Sequence, residues 1–193
     1  MNHYFINNEN LPHDYRFVDF EYNSKKFRFL SDAGVFSKEH ADPASQILIE
    51  NVPPLYGSLL DMGCGYGLLG IVLGSVNHVK TTLADINDRA VALAAKNCEL
   101  NGFDGKVALS DGFSNINENF QTIVTNPPIR AGKQAVFKIY EDAHAHLNED
   151  GQFFAVIRKK HGAESSLHKL TEIFGNCETI YRKKGVFVYR CCK

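Results

Sequence analysis

Ser58-Leu59-Leu60-Asp61-Met62-Gly63-Cys64-Gly65-Tyr66-Gly67 decides how this chain folds. Leu59 and Leu60 belong to an apolar run too short for a helix, which reads as a buried strand running into Asp61. Glycines at every second position from Gly63 to Gly67 let the backbone turn tightly and approach a ligand without side-chain clashes. The apolar pattern that follows is a helix, and its first amide groups, unpaired within the helix, face whatever sits above the glycines. Strand, bare turn and helix together form the opening unit of a parallel sheet covered by helices.

Working outward, short apolar runs alternate with helical patterns to the end of the chain. Strands are expected at Ser58 to Met62, Lys80 to Asp85, Gly105 to Ser110, Phe120 to Thr125, Gly151 to Arg158, Cys177 to Arg182 and Val186 to Cys191. Helices are expected at Gly67 to Val76, Asp88 to Asn101, Gly132 to Leu147 and Ala163 to Phe174, with Gly102 and Gly175 as left-handed stops. Only Lys183, Lys184 and Gly185 join the last two strands, too few for a crossover, so these strands form an antiparallel hairpin. Upstream, Asp42 and Pro43 start a helix whose apolar side is Ile47, Leu48 and Val52. The aromatic stretch from Tyr4 to Leu30, in which Phe27 and Phe29 alternate with Lys26 and Arg28, reads as a hairpin or an edge strand. No repeat, linker or low-complexity tract divides the 193 residues, so one domain with an N-terminal extension at about 1–40 is expected.

Composition narrows the class. Lys and Arg number 21 against 22 Asp and Glu, so any nucleic-acid footprint must be local rather than carried by bulk charge. The five cysteines, Cys64, Cys98, Cys177, Cys191 and Cys192, are odd in number and form no CxxC pair, which favours a reducing compartment. Met1 to Leu11 lacks the apolar centre of a signal peptide and no run is long enough to span a bilayer, so a cytoplasmic protein with no membrane partner is expected. His40, His144 and His146 suggest no metal site, since the last two lie two apart and point to different helix faces.

The glycine turn alone is ambiguous, because Gly65-x-Gly67-x-x-Gly70, with Asp85 twenty positions beyond Gly65, also satisfies a dinucleotide-binding fingerprint. Asp61 separates the readings: a carboxylate beside the cleft repels a diphosphate and attracts a cationic amino or sulfonium group. S-adenosylmethionine carries both. Asp85 ends the second strand and suits two ribose hydroxyls, since Asn87 and Asp88 suffice to cap the next helix and leave it spare. Ser110-Asp111-Gly112 repeats the geometry one strand later, with Asp111 either an acceptor for an adenine amine or an ordinary turn residue. The fourth strand ends in Asn126-Pro127-Pro128-Ile129, about 60 residues after the glycines. In an open α/β sheet both segments face one crevice at the carboxyl ends of the strands. An exocyclic amine on a conjugated ring is a poor nucleophile because its lone pair is delocalised. If the Asn126 side-chain oxygen and the Pro127 carbonyl each accept one of its hydrogens, the lone pair turns toward a methyl donor and growing positive charge is stabilised. The prolines set both acceptors in advance, and no side-chain base is required. Taken alone, Asn-Pro-Pro is equally a rigid loop.

Taken together, Asp61-x-Gly63-x-Gly65-x-Gly67, Asp85, Asp111 and Asn126-Pro127-Pro128-Ile129-Arg130-Ala131-Gly132-Lys133 resemble the class I S-adenosylmethionine-dependent methyltransferases. Within them they resemble the small methyltransferase domain of ribosomal RNA guanine-N2 methyltransferases. The resemblance runs from about Phe27 to Tyr189, and Asp32-x-Gly34-Val35-Phe36-Ser37 looks typical of the same group. It implies a Rossmann-like α/β fold with a seven-stranded, mostly parallel sheet in the order 3-2-1-4-5-7-6, strand 7 antiparallel and helices on both faces. It also implies S-adenosylmethionine as cofactor, bound by Asp61, Gly63, Cys64, Gly65, Asp85, Ile86, Ser110, Asp111 and Asn126, and a target amine held by Asn126, Pro127, Pro128 and Ile129. Relatives that methylate adenine or protein glutamine often have an aromatic residue where this chain has Ile129, so isoleucine favours transfer to guanine N2 in ribosomal RNA over those two acceptors. A nicotinamide oxidoreductase using Gly65, Gly67 and Gly70, and a silent RNA-binding module, are the readings from other classes.

RNA is then the expected partner. Lys25, Lys26 and Arg28, then Arg130 and Lys133, then Arg158, Lys159, Lys160 and His161 are candidates for a phosphate-binding rim. Arg182, Lys183 and Lys184 are expected to be a solvated loop at the far margin of the sheet. Phe36 is a candidate for stacking on a base or covering the cofactor.

Overall fold

A computed structural model describes residues 12–35 and 40–193. Phe36, Ser37 and the start of the aromatic stretch, Tyr4 to Leu11, lie outside the described residues. The elements in order are β1 (Arg16–Tyr22), β2 (Lys25–Ser31), α1 (Pro43–Asn51), β3 (Ser58–Met62), α2 (Leu68–Asn77), β4 (Lys80–Asp85), α3 (Asp88–Leu100), β5 (Gly105–Leu109), β6 (Phe120–Thr125), α4 (Lys133–Ala145), β7 (Leu147–Arg158), α5 (Ala163–Phe174), β8 (Glu178–Lys183) and β9 (Val186–Cys192).

The strands from β3 onward form one sheet in the order β5-β4-β3-β6-β7-β9-β8, which counted from β3 is 3-2-1-4-5-7-6. β3 to β7 pair in parallel, and β9 runs antiparallel to both neighbours. Leu59 and Leu60 show why such a strand carries an unbroken apolar run. Both are fully buried, but Leu59 packs with Leu48, Ile71 and Val124 on one face and Leu60 with Tyr140, Phe153 and Leu170 on the other. Helices therefore cover both faces. Gly70 lets α2 lie against β4, since a Cβ there would sit 2.9 Å from Leu83 Cγ.

One boundary differs from expectation by four residues. β7 begins at Leu147, not Gly151, because Leu147 pairs with Phe120 before the ladder shifts register between Phe120 and Thr122. Asp150 turns the chain there with φ 61°, and the same early pairing ends α4 at Ala145.

β1 and β2 form a separate antiparallel ribbon rather than an edge of the main sheet. Two side chains of α3 take the place of a third strand beside β2. Asn97 Oδ1 accepts from Leu30 N at 2.6 Å while Asn97 Nδ2 donates to Leu30 O at 2.9 Å and to Tyr66 O at 2.8 Å. Asn101 Oδ1 accepts from Arg28 N at 3.0 Å and its Nδ2 donates to Arg28 O at 2.9 Å. Four residues apart, the two amides share one helix face, and Arg28 and Leu30 share one strand edge. Asn97 is fully buried and joins the ribbon to the glycine turn. Asn97→Ala should therefore cost about 2–4 kcal/mol in urea denaturation, because Leu30 and Tyr66 lose partners in a dry site, whereas Asn101→Ala, at the solvent-exposed end, should cost about 1 kcal/mol.

Candidate active site

β3, β4 and β6 end side by side, and the segments leaving them enclose a cavity of about 1560 Å³. Gly63, Cys64, Gly65, Asp85, Ile86, Ser110, Asp111, Asn126, Pro127, Pro128 and Ile129 all line it, so the glycine turn and the Asn-Pro-Pro segment face one space. One hydrogen bond couples them directly: Thr125 Oγ1, just before Asn126, donates to Met62 O, just before Gly63, at 2.8 Å. Single-ligand pockets are on the order of 300–1,000 Å³, so this cavity has room for a cofactor and a second group beside it.

Asp61 is the exception among the expected residues. Its side chain does not line the cavity but lies fully buried beneath the turn, where Oδ2 accepts from Gly70 N at 2.8 Å. Its second oxygen has no partner among the described residues. Burial pushes its pKa up to about 7, the Gly70 N–H pulling it down and the Asp85 charge adding to the rise. Asp61 thus supports the turn from beneath and does not line the cavity. Asp85 is not spare either: Oδ2 accepts from Gly65 N at 2.8 Å and Oδ1 from Asn87 N at 2.9 Å. Asn87 does cap α3, accepting from Arg89 N and Ala90 N. The Asp85 carboxylate borders the cavity. Ser110 Oγ is committed to its own turn, donating to Gly112 O at 2.7 Å and accepting from Asn115 N at 3.1 Å. Ile86, 38% exposed, offers an apolar surface next to Asp85, and Asp111 is exposed. Burial, then the charges of Asp85 and Asp61, hold the Cys64 thiol well above its usual pKa, so it stays neutral.

The Asn-Pro-Pro segment departs from expectation at one atom. Pro127 O already accepts from Ile129 N at 2.8 Å across Pro128, whose φ of −73° and ψ of 77° make an inverse γ-turn, so only one lone pair of that carbonyl remains for a ligand. Asn126 Nδ2 donates to Asp42 Oδ2 at 3.0 Å and to Ser45 Oγ at 2.9 Å, which leaves Asn126 Oδ1 without a partner among the described residues. Asp42 also caps α1, accepting from Ser45 N at 2.8 Å, and its Oδ1 accepts from Arg158 Nη2 at 3.2 Å. Sequence reasoning saw Asp42 only as a helix start and did not see Ser45. They stand 84 and 81 positions from Asn126, and nothing in local pattern signals such a contact.

Arg130, Lys138, Arg158, Lys160 and His161 line the cavity's mouth. Burial and then the charges of Lys160, Arg158 and Arg130 lower the His161 pKa, a sign of a cationic rim. Arg182, Lys183 and Lys184 lie exposed on the edge strand β8 and the turn after it, at the sheet margin as expected, and Lys159 N donates to Gly185 O of that turn at 2.7 Å. The ribbon's cations stand elsewhere, Lys25 over the Phe27 ring and Arg28 over Phe17. His146 borders the cavity while His144 packs on the Phe174 ring. Among the described residues no group of three or more His, Cys, Asp or Glu is placed to hold a metal ion, and no helix is long and apolar enough to cross a membrane.

This arrangement of sheet, glycine turn and Asn-Pro-Pro segment has relatives. Residues 26–190 match the family described as the methyltransferase small domain. The chain is 40% identical to the uncharacterized protein YbxB of Bacillus subtilis, over 99% of this chain and 98% of that one. It is 32% identical to ribosomal RNA small subunit methyltransferase C of Aliivibrio fischeri, over 91% of this chain and 52% of that protein. The solved structure of the T. thermophilus 16S rRNA N2 G1207 methyltransferase in complex with AdoMet and guanosine superposes with a TM-score of 0.84 at 26% identity, covering 95% of this chain and 52% of that one. The chain belongs to the methyltransferase small-domain family, and it spans about half the length of the two ribosomal relatives.

The buried Asp61 makes a testable mark on stability. Its folded pKa of about 7 exceeds the ordinary 3.8, so the folded state holds a proton that the unfolded chain releases between those values. The resulting stabilisation is complete below about 3.8 and is lost as pH rises to about 7. In urea denaturation from pH 4 to 8, the wild type should lose a few kcal/mol relative to Asp61→Asn, whose stability lacks this contribution; parallel pH profiles would contradict the assignment.

Proposed function

We propose that this chain is an N-methyltransferase that transfers a methyl group from S-adenosylmethionine to the exocyclic N2 amine of a guanine in ribosomal RNA, as one domain acting in the cytoplasm. The observation that carries the reading is an unpaired amide oxygen, Asn126 Oδ1, in the same cavity as a bare glycine turn with a carboxylate at the end of the neighbouring strand. S-adenosylmethionine, when bound, supplies an electrophilic methyl group on a sulfonium.

The residues present fit that cofactor. Gly63 and Gly65 allow close approach of main chain, Asp85 borders the cavity as a carboxylate acceptor suited to ribose hydroxyls, Ile86 gives an apolar face for a purine, and Asp111 is an exposed acceptor for its amine. The Tyr66 hydroxyl, buried without a partner among the described residues, belongs to the same lining. Two carboxylates behind the turn, Asp61 and Asp85, favour a cationic ligand and disfavour the diphosphate of a nicotinamide dinucleotide.

On the acceptor side, Asn126 Oδ1 takes a hydrogen bond from the target amine, and the remaining lone pair of the Pro127 carbonyl takes the other, which turns the amine's own lone pair out of conjugation. Ile129 provides apolar contact with the base. The product cation is acidic enough to lose its proton to water, so orientation and preset acceptors supply the acceleration. Arg130, Lys160 and His161 at the mouth suit RNA phosphates, and the guanosine in the T. thermophilus relative's complex supports a guanine acceptor.

Labelled methyl transfer to small-subunit ribosomal RNA from cells lacking this protein, followed by nucleoside mass spectrometry, should yield N2-methylguanosine; no such product on RNA or on assembled subunits would overturn the reading. Asn126→Ala should slow transfer by about 10²–10³-fold and leave S-adenosylhomocysteine affinity, by calorimetry, within about twofold of wild type.

A further inference from the structure

We propose that Asp42 and Ser45, at the start of α1, are positioning residues that fix which end of the Asn126 amide meets the target amine. The inference rests on the N-methyltransferase reading above. An asparagine amide has two ends of nearly equal size and opposite hydrogen-bonding sense. If the NH2 end faced an exocyclic amine, donor would meet donor and the acceptor needed for transfer would be lost. Main-chain geometry cannot choose between the two, because a 180° rotation of the amide leaves the backbone untouched.

The choice is made from outside the motif. Asp42 already serves as an acceptor for Ser45 N and the Arg158 guanidinium, so the Asn126 atom 3.0 Å from its Oδ2 is the nitrogen. Ser45 Oγ, 2.9 Å away, takes the second amide hydrogen, and both N–H groups are consumed. The pair is itself immobile. Asp42 is 5% exposed and Ser45 6%, the same Asp42 oxygen accepts from Ser45 N at 2.8 Å as the cap of α1, and Arg158 Nη2 holds the other oxygen at 3.2 Å. α1 and β7 thus converge on one side chain that ends β6. A carboxylate on the donor end also polarises the amide, drawing negative charge toward Oδ1, where positive charge develops on the amine during transfer. Neither residue touches the reacting atoms. They set the direction and strength of the acceptor that does.

Ser45→Ala removes one acceptor and nothing else from the helix start. Asp42→Asn keeps volume and capping ability but no longer dictates the amide's orientation, since its own side chain has both a donor and an acceptor. With small-subunit ribosomal RNA from cells lacking the protein as substrate, kcat should fall on the order of tenfold in each variant while KM for RNA and calorimetric affinity for S-adenosylhomocysteine stay at the wild-type level. Ser45→Thr, which restores the hydroxyl, should restore kcat. Should Asp42→Asn fail to fold, the Ala and Thr variants at Ser45 decide the matter alone. Wild-type kcat in the Ser45→Ala and Asp42→Asn enzymes, alongside an inactive Asn126→Ala, would overturn this inference and leave the N-methyltransferase reading standing. Parallel loss of S-adenosylhomocysteine affinity and kcat would reduce both residues to structural supports and overturn it as well. Full activity of Asn126→Ala would remove the function proposed for the site, and this inference with it.

Discussion

The turn after β3 exists in its observed shape because two buried carboxylates hold its amide groups from beneath. Asp61 takes Gly70 N and Asp85 takes Gly65 N, while Ala84 O accepts from both Gly63 N and Cys64 N. Left unpaired in a dry interior, each such N–H would cost about 1–3 kcal/mol, so the turn cannot drift without losing several of these bonds together. Gly67, at φ 95°, opens α2 in a conformation that a side chain would strain. From this anchored turn the rest follows in space: Thr125 reaches Met62 O and brings Asn126 level with the glycines, and Asn97 holds Tyr66 O and carries the N-terminal ribbon with it.

Much of the sheet was legible because its signals are local. Unbroken apolar runs such as Leu59-Leu60 require both faces covered, glycines at 102 and 175 end helices at positive φ, and the short joint between β8 and β9, Lys184 and Gly185, permits only a hairpin. The cavity's lining was legible for the same reason: motifs at the carboxyl ends of neighbouring parallel strands converge whatever lies between them. What escaped were the choices made by long-range hydrogen bonds. Asp61 was read as a carboxylate beside the cleft, yet the buried Gly70 N–H holds it beneath the turn, and Asp85, though it does border the cavity, also accepts from Gly65 N and Asn87 N. The Pro127 carbonyl was read as free, but the Pro128 ring pre-sets the dihedral that hands one lone pair to Ile129. Nothing in the local pattern marks Asn97 or Asn101, because the strand edge they complete is about 70 residues away.

The charge distribution orders the cavity from floor to mouth. Asp61, Asp85 and Asp111 surround the turn, and Arg130, Arg158, Lys160 and His161 lie toward the opening. With total charge near neutral, this separation exists only locally, which is why composition could not reveal it. In the proposed reaction, a sulfonium is drawn to the acidic floor and phosphates to the basic rim, so the two ligands do not compete for one place although both must be present at once. Coulomb interactions of this kind fall to about 1 kcal/mol at 4 Å in bulk water and grow as water is excluded, so closing RNA over the mouth strengthens the floor as well.

In the proposed reaction Asn126 stands between the two halves of this field, and its role depends on orientation rather than charge. The floor needs only carboxylates, which accept from any direction, and the rim needs only cations, which tolerate displacement. An amide offers acceptor and donor on opposite ends and has no means of choosing between them. The fold supplies the choice through an ion pair, Asp42 with Arg158, in which no residue of the glycine turn takes part. That control comes from α1, which precedes β3 in the chain, and not from Asp61 or Asp85, which hold the glycine turn.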